Sequence, residues 1–422
     1  MVGCLHRHVQ RWTRATRIAG LLALGGAIAT PAAADPATLK IGLIGPFTGG
    51  SADFGNSMRN GVQLAVDEIN ALGGYMGRKF ELVVRDDQGN PDRARQVSTE
   101  LVQAGVLATI GFCNSGNAVK SLDIYQQAKA PLIVPCATST PITATYPAAE
   151  SYIFRTSARD ALQVPFVVNQ IVRRGWTRIA VLADTTGYGN EGLKEVAQAL
   201  ARHQLKPLHV GRFDIGVKDL TEEVRAARDS GAQVLFTIAV GPENAVVGRA
   251  REALGWKVAQ VGPWGLTFPT YIEGAKSAAE GTLMAITFVA EPTNERRSAF
   301  LASYRKQFKT DRIAVPMAAA QAYDSTFLLA HAMLTIKDGK VSGPAIKHAL
   351  ENNDRAYYGV VATYKNAFSA ADHDAMTENM LYLGTIRNGA VTFADPEDAR
   401  RNFVVQRKLS AATPTAPVTT TR

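Results

Sequence analysis

The sequence has few of the residues that metal centres and common hydrolase sites require. Its 422 residues include three cysteines and seven histidines, with no C-x-x-C pair and no Cys/His cluster at metal-ligand spacing. The H-E-x-x-H and G-x-S-x-G patterns are absent, and no S-x-x-K occurs together with its partner motifs. We therefore expect no metal, no cofactor and no catalytic residues, and the sequence does not favour an enzyme.

The sequence also lacks an apolar run long enough to span a bilayer. Its first apolar run, residues 18–30, is too short for a transmembrane helix and is followed by an Ala-x-Ala arrangement at 32–34. Four arginines and no acidic residue precede the run: Arg7, Arg11, Arg14 and Arg17. This pattern predicts a signal peptide over residues 1–34 with cleavage near Ala34. Paired arginines are missing, which favours a Sec-type signal, and we expect a periplasmic protein.

A strong charge of one sign is missing as well. The whole chain carries a formal charge of +9, and removal of the predicted signal leaves 42 basic and 37 acidic residues, a net charge of +5. The basic pairs are dispersed rather than gathered in one patch. They are typical of solvated faces, and we expect no nucleic-acid partner.

Strands and helices alternate through most of the 388 residues that follow the signal, a length that suits two domains. Apolar segments such as 39–45 and 179–184 predict strands, and segments with an apolar face of helical period follow them. Strands separated by helices form parallel sheets covered on both faces. The sequence thus predicts an α/β protein, with a disordered tail over residues 406–422.

One short pattern occurs twice, 134 residues apart. Phe54-Gly55-Asn56 follows the first of those apolar strands, and Tyr188-Gly189-Asn190 follows the second. Each pattern places an aromatic ring just before a helix at the C-terminal edge of a strand, where open α/β sheets bind ligands. Two such edges suggest two similar lobes that share a cleft, although aromatic and glycine residues also meet in such loops by chance.

The sequence resembles the periplasmic solute-binding proteins of ABC importers, in particular the leucine/isoleucine/valine-binding branch. The resemblance begins with K-I-G-L-I-G-P-F-T-G at 40–49 and covers nearly all of the chain after the signal. The other matching segments are 61–74, 86–87, 110–111, Ser115, 123–125, 135–138, 154–156, 188–189 and 262–263.

The resemblance implies a type I periplasmic-binding-protein fold. Two lobes, each a parallel sheet flanked by helices, are joined by three hinge crossovers and close on a ligand. The first lobe is expected to comprise residues 35–156 and 288–350, and the second lobe residues 157–287 and 351–405. A protein of this kind captures an amino acid or a small organic carboxylate and delivers it, as a monomer, to the membrane permease of an ABC importer.

The resemblance also implies the ligand-binding residues. Ser115 matches the serine whose hydroxyl holds the ligand carboxylate, and its place before a helix favours an anion on physical grounds as well. Cys136 and Thr138 match the pair that holds carboxylate and amine. The full set comprises Phe54, Ser115, Cys136, Thr138, Tyr188 and Trp264.

One departure from the family pattern leaves the identity of the ligand undecided. Amino-acid binders carry an acidic residue in the Gly-Pro-x-Gly loop, where it neutralises the ligand ammonium, but here the loop reads Gly262-Pro263-Trp264-Gly265. The ligand is then either an amine-free carboxylate with an apolar or aromatic body, or an amino acid with another counter-charge. The candidates for that counter-charge are Glu243, Asp184 and Asp324.

Two other functions compete with solute transport. Residues 187–192 read G-x-G-x-x-G and Asp214 ends the next strand, as in a dinucleotide site. Asp184, Thr185 and Thr186 stand between the apolar part of the preceding strand and the glycines, which loosens the turn that a pyrophosphate needs, so an NAD-dependent enzyme is disfavoured. A ligand sensor of the same fold cannot be separated from an importer component by sequence.

The two cysteines that follow the signal, Cys113 and Cys136, come just after apolar strands that we expect to be neighbours. In an oxidising compartment they can form a disulfide. Two buried thiols near the cleft are the equal alternative.

Overall fold

The computed structural model describes residues 38–409. The predicted signal peptide and residues 410–422 of the predicted tail lie outside this range. Within it, no helix is long and apolar enough to cross a membrane. The described chain contains two large sheets and one small two-stranded sheet.

The first sheet has five parallel strands in the order β2-β1-β3-β4-β5. Its strands are β1 (Leu39–Gly45), β2 (Phe80–Asp86), β3 (Ala108–Ile110), β4 (Leu132–Val134) and β5 (Ile153–Arg155). The helices between them are α1 (Ala52–Ala71), α2 (Pro91–Gln103), α3 (Ser115–Gln127) and α4 (Pro141–Ala144). The central strands β3 and β4 are buried along their whole length, as continuous apolar runs in a parallel sheet predict.

The second sheet has seven strands in the order β14-β13-β10-β9-β8-β6-β7. Its strands are β6 (Ile179–Asp184), β7 (His209–Phe213), β8 (Val234–Ile238), β9 (Ala259–Gly262), β10 (Leu283–Ile286), β13 (Tyr382–Arg387) and β14 (Ala390–Phe393). The first five are parallel, and β13 and β14 add an antiparallel edge. Its helices are α5 (Asp160–Arg173), α6 (Gly187–Ala201), α7 (Thr221–Asp229), α8 (Glu243–Ala253) and α9 (Pro269–Ala275).

The remaining elements lie between β10 and β13 in the chain, except α13, which follows β14. They are α10 (Glu295–Phe308), α11 (Pro316–Met333), α12 (Gly343–Glu351), β11 (Tyr357–Tyr358), β12 (Thr363–Tyr364) and α13 (Pro396–Arg401). Helices α10 and α11 pack against α1 and so belong with the first sheet. Gly61 of α1 allows this packing, because a Cβ there would lie 2.1 Å from the carbonyl oxygen of Ala319.

The chain passes between the sheets three times. It leaves the first sheet after β5, returns to it after β10 and reaches the second sheet again at β13. This connectivity confirms the predicted two-lobed type I fold with three crossovers. The two strands predicted at 39–45 and 179–184 match β1 and β6 at both ends. The predictions missed β5, α9 and α12, which are short or lack a clear apolar period.

The lobe boundaries stay a prediction. The contacts of residues 357–376 favour placing that segment in the other lobe. Residues 351–405 were assigned to the second lobe, but Asp374 pairs with Arg155 at the edge of the first sheet. The backbone N–H groups of Val360 and Val361 also donate to Asp324 of α11. We propose that residues 357–376 belong to the first lobe. At the end of the described chain, Lys408 of the predicted tail donates to the carbonyls of Ala367 and Asp374.

Candidate ligand-binding site

The predicted site residues come from both sheets, and each lies at or just past the C-terminal end of a strand. Phe54 and Ser115 lie in the first turns of α1 and α3, and Tyr188 lies in the first turn of α6. We predicted the two rings in loops before their helices, but both helices begin earlier, at Ala52 and Gly187. Gly55 allows the first arrangement, because a Cβ there would meet the carbonyl oxygen of Pro46 at 2.1 Å.

All six predicted residues line one buried cavity between the lobes. The cavity encloses about 270 Å³ not filled by atoms. Its walls are Phe54, Cys113, Ser115, Cys136, Thr138, Tyr188, Ala239, Val240, Trp264, Gly265 and Phe268. Each of the six predicted side chains is at most 5 % exposed, so the lobes are closed around the space. The space open to a water-sized molecule is only about 20 Å³, so an amino acid or small carboxylate fits only when the lobes part.

Aromatic rings form one wall of the cavity. The ring of Phe54 lies 5.1 Å from that of Trp264 in an edge-to-face arrangement and 4.6 Å from that of Phe268. Phe54 belongs to the first lobe and the other two rings to the second, so the cluster joins the lobes. Phe268 was missed by the sequence analysis, because it precedes the short helix α9, which the apolar period does not reveal.

Ser115 forms the polar end of the cavity. Its Oγ accepts hydrogen bonds from the backbone N–H groups of Thr138 and Ser139, at 3.3 and 3.2 Å. With both lone pairs engaged, the hydroxyl hydrogen is left to donate to a ligand. Ser115 also begins α3, where the first N–H groups have no partner within the helix and the helix dipole favours negative charge. This end of the cavity is therefore suited to a carboxylate.

The three acids proposed as a counter-charge already accept hydrogen bonds from neighbouring groups of the protein. Asp184 accepts from the backbone N–H groups of Thr186 and Val240. Glu243 accepts from the N–H of Gly216 and lies in a neighbouring cavity. Asp324 accepts from four donors of the first lobe: Tyr357, Val360, Val361 and Tyr364. None of the three lines the ligand cavity.

A fourth acid, Asp160, is not a wall of the cavity either, but its backbone is hydrogen-bonded to a residue that is. It begins α5, its N–H donates to the carbonyl of Thr138 at 2.8 Å, and it is 1 % exposed. Neither carboxylate oxygen has a hydrogen-bond partner among the described residues. Burial raises the pKa of Asp160 to about 7, and the nearby positive charge of Arg155 lowers it only in part. Sequence analysis missed this residue, although it lies only four residues after the 154–156 motif.

Arg155 does not form an ion pair with Asp160, because its guanidinium donates hydrogen bonds to other groups. Its Nε donates to Asp374 at 2.7 Å, and its Nη1 donates to the carbonyls of Thr138 and Ser139 at 3.0 and 2.8 Å. The guanidinium therefore holds the loop that carries Thr138 in place. A buried carboxylate without a partner is costly, so Asp160 either takes a proton or pairs with a cation in the cavity.

A second, larger cavity adjoins the first. It contains about 1060 Å³ not filled by atoms and shares Ser115, Tyr188 and Val240 with the inner cavity. Its remaining walls come from loops of both lobes, including 50–51, 88–91, 114–117, 185–188 and 240–243. This outer cavity therefore lies between loops of both lobes and meets the inner one at Ser115, Tyr188 and Val240.

The glycines at 187–192 have a packing role. Gly187 begins α6 directly after its N-cap Thr186, so no glycine-rich turn precedes the helix. A Cβ on Gly189 would lie 2.1 Å from the carbonyl oxygen of Asp184, and a Cβ on Gly192 would lie 2.6 Å from Ile238. The glycines thus bring α6 close to the strands, which explains the pattern without a dinucleotide.

The comparison with known proteins agrees with this geometry. A family described as periplasmic binding protein matches residues 38–390. The chain belongs to this family. Its relatives and structural neighbours are solute-binding proteins rather than enzymes. This confirms the predicted family and the expectation that the protein is not an enzyme.

Individual relatives are similar over most of the chain. The leucine-, isoleucine-, valine-, threonine- and alanine-binding protein of Pseudomonas aeruginosa is 30% identical over 285 residues, 67% of this chain and 75% of that protein. The LivJ substrate-binding protein of Streptococcus pneumoniae, solved with isoleucine, has a TM-score of 0.73 at 26% identity and covers 84% of this chain and 98% of its own. A periplasmic binding protein type 1 from Bordetella pertussis has a TM-score of 0.76 at 22% identity over 85% of this chain and 99% of its own, which shows the fold alone.

Proposed function

We propose that this protein is an extracytoplasmic solute-binding protein that captures a small carboxylate by closure of its two lobes and passes it to the permease of an ABC importer. One observation carries the proposal: six residues selected from the sequence, from five separate places in the chain, line one buried cavity whose polar end is the N-terminus of α3. The ligand carboxylate is assigned to Ser115 and Thr138, and its body to Phe54, Tyr188 and Trp264.

The ligand we favour is an amino acid with an apolar side chain. Hydrogen bonds to a charged group contribute about 1.5–3 kcal/mol each, so several donors at Ser115 and Thr138 support micromolar or tighter binding. Asp160, buried beside Thr138 without a hydrogen-bond partner, is placed to balance a ligand ammonium. The names of the relatives from Pseudomonas aeruginosa and Streptococcus pneumoniae point to the same ligand class.

The second candidate is an amine-free carboxylate with an apolar or aromatic body. It is favoured by Trp264, which stands where amino-acid binders carry an acid and completes a wall of three rings with Phe54 and Phe268. With such a ligand, Asp160 would stay protonated. A sensor that presents the liganded form to another protein would use the same cavity, and neither role requires more than a monomer.

A thermal-shift series tests the proposal and separates the two ligands. Leucine is compared with 4-methylpentanoate, which has the same body without the amine, and benzoate represents aromatic acids. A ligand at about a hundredfold over its dissociation constant stabilises the protein by about 2.7 kcal/mol. We expect a clear shift with leucine and a smaller one with 4-methylpentanoate. A shift with an acid alone favours the second candidate, and the absence of any shift across amino acids and carboxylates contradicts the function.

A further inference from the structure

The two cysteines of the described chain lie on neighbouring segments at one end of the first sheet. Strands β3 and β4 pair in parallel with Ile110 beside Ile133. Past the strand ends the two segments stay adjacent, because the N–H of Gly111 donates to Ile133 and that of Ala137 donates to Phe112. Cys113 follows Phe112 and Cys136 precedes Ala137, so both cysteines lie next to that last hydrogen bond. Neighbouring strands are about 4.7–4.9 Å apart, which falls within the Cα separation of a disulfide.

The two side chains also meet in one place. Both cysteines line the inner cavity. Both thiols are free and buried, with Cys113 3 % and Cys136 0 % exposed. Burial raises the pKa of the Cys113 thiol well above its ordinary value, and the neighbouring Cys136 raises it further. The Sγ of Cys113 also contacts the Sδ of Met58 at 3.6 Å.

We propose that Cys113 and Cys136 form a reversible disulfide across the wall of the ligand cavity, and that its formation weakens ligand capture. Each cysteine lies two residues before a proposed ligand-binding residue, Ser115 in one case and Thr138 in the other. A covalent link between the two loops changes their spacing and removes two thiols from the cavity wall. Sites of this kind lose affinity when their groups move by about 0.5–1 Å.

The oxidant is a disulfide of another molecule, either a small one or a protein. One thiol loses its proton and attacks a sulfur of that disulfide, which releases one thiol and leaves a mixed disulfide. The second cysteine then displaces the remaining half as a second thiol. Overall, two protein thiols and one external disulfide become one protein disulfide and two external thiols. Because both cysteines are buried in the closed form, the reaction requires the lobes to part, and a bound ligand slows it.

The test exposes the full chain, with Cys4→Ser to remove the third cysteine, to oxidised glutathione in a redox buffer. Peptide mapping by mass spectrometry is expected to find Cys113 linked to Cys136, with the loss of two hydrogens and no retained glutathione. Dithiothreitol is expected to restore both thiols. A product that carries only glutathione adducts, or that keeps two free thiols after prolonged exposure, overturns the proposal.

Leucine titrations of the reduced and oxidised forms test the consequence for binding. We expect the oxidised form to bind at least severalfold more weakly, and leucine to slow oxidation. Cys113→Ser and Cys113→Ala serve as controls, because the affinity of neither variant should respond to the oxidant. Equal affinity of the two wild-type forms contradicts the proposed effect on capture. This part rests on the proposed function: if the reduced protein binds no leucine, that function fails, whereas peptide mapping still decides whether the disulfide forms.

Discussion

Gly187 of one lobe lies directly against Gly116 of the other. A Cβ atom on Gly187 would stand 3.1 Å from the Cα of Gly116, closer than most real side-chain contacts. Both residues lie in the first turn of a helix, α3 in the first lobe and α6 in the second. The two helix N-termini can approach this closely because neither residue has a side chain. The contact lies beside Ser115 and Tyr188, so it controls how far the cavity closes.

A larger residue at position 187 is expected to hold the lobes apart. In Gly187→Val the added methyl groups collide with Gly116, so the closed form becomes less populated and ligand affinity falls by about tenfold or more. Lys194→Val, an exposed position on the same helix, is the matched control and should bind as the wild type does. Isothermal calorimetry measures the affinities, and small-angle scattering shows whether the liganded variant stays more open. Equal affinity in both variants would mean that the glycine contact does not limit closure.

Replacement of Asp160 tests the unpartnered carboxylate through pH. Its folded pKa of about 7 lies above the ordinary aspartate pKa of 3.8, so between these pH values the folded protein binds one proton more than the unfolded chain. The free energy of unfolding therefore falls as pH rises from about 4 to 7 and is flat above that. Asp160→Asn removes this loss, and the ligand-free variant should be more stable than the wild type at pH 8 by about 2–4 kcal/mol, with little difference at pH 4.

The same variant separates a structural role from a ligand role. If Asp160 balances a ligand ammonium, Asp160→Asn binds leucine more weakly although it is more stable, and its affinity for 4-methylpentanoate does not fall. Urea unfolding at several pH values and calorimetric titration provide the two readouts. A variant with unchanged leucine affinity assigns Asp160 to the fold alone. A variant that is less stable at pH 8 shows that the carboxylate has a partner in solution.

Removal of Arg155 is expected to destabilise the first lobe strongly. Its guanidinium is fully buried, joins Asp374 to the loop at Thr138 and Ser139, and leaves a buried charge behind when it is lost. Arg155→Met should lower the free energy of unfolding by about 3–5 kcal/mol. Arg225→Met, which breaks a surface pair with Glu222 at 3.4 Å, is the control and should change it by less than about 1 kcal/mol. If the two variants lost similar free energy of unfolding, burial of the Arg155 ion pair would not explain its contribution to stability.

The sequence predicted a ligand site at the C-terminal ends of the strands. Ser115 and Thr138 were assigned through the family resemblance, whereas the positions of Phe54 and Tyr188 follow from the alternation of strands and helices, because parallel strands deliver their C-terminal ends to one edge. The neighbouring strands before Cys113 and Cys136 were also identified correctly. These features depend on local periodicity, which the sequence displays.

The missed features depend on tertiary contacts. Asp160 faces the site only because the turn after β5 places the start of α5 beside Thr138, and no local pattern specifies that turn. Phe268 reaches Phe54 from a four-residue 3-10 segment and a short helix that carry no clear period. The counter-charge candidates Asp184 and Asp324 were plausible by charge, but backbone N–H groups satisfy them. Only the structure shows whether a buried acid already accepts hydrogen bonds from the protein.

The measurement that tests the account most directly is a calorimetric titration of leucine into the wild type and into a variant that carries Ser115→Ala and Thr138→Ala. We expect saturable one-to-one binding by the wild type. In the variant the affinity should be lost or lowered by about a hundredfold or more, because two donors to a charged group are missing. Far-ultraviolet circular dichroism and the melting temperature without ligand confirm that the variant folds. Wild-type affinity in a folded double variant would contradict the placement of the ligand in this cavity.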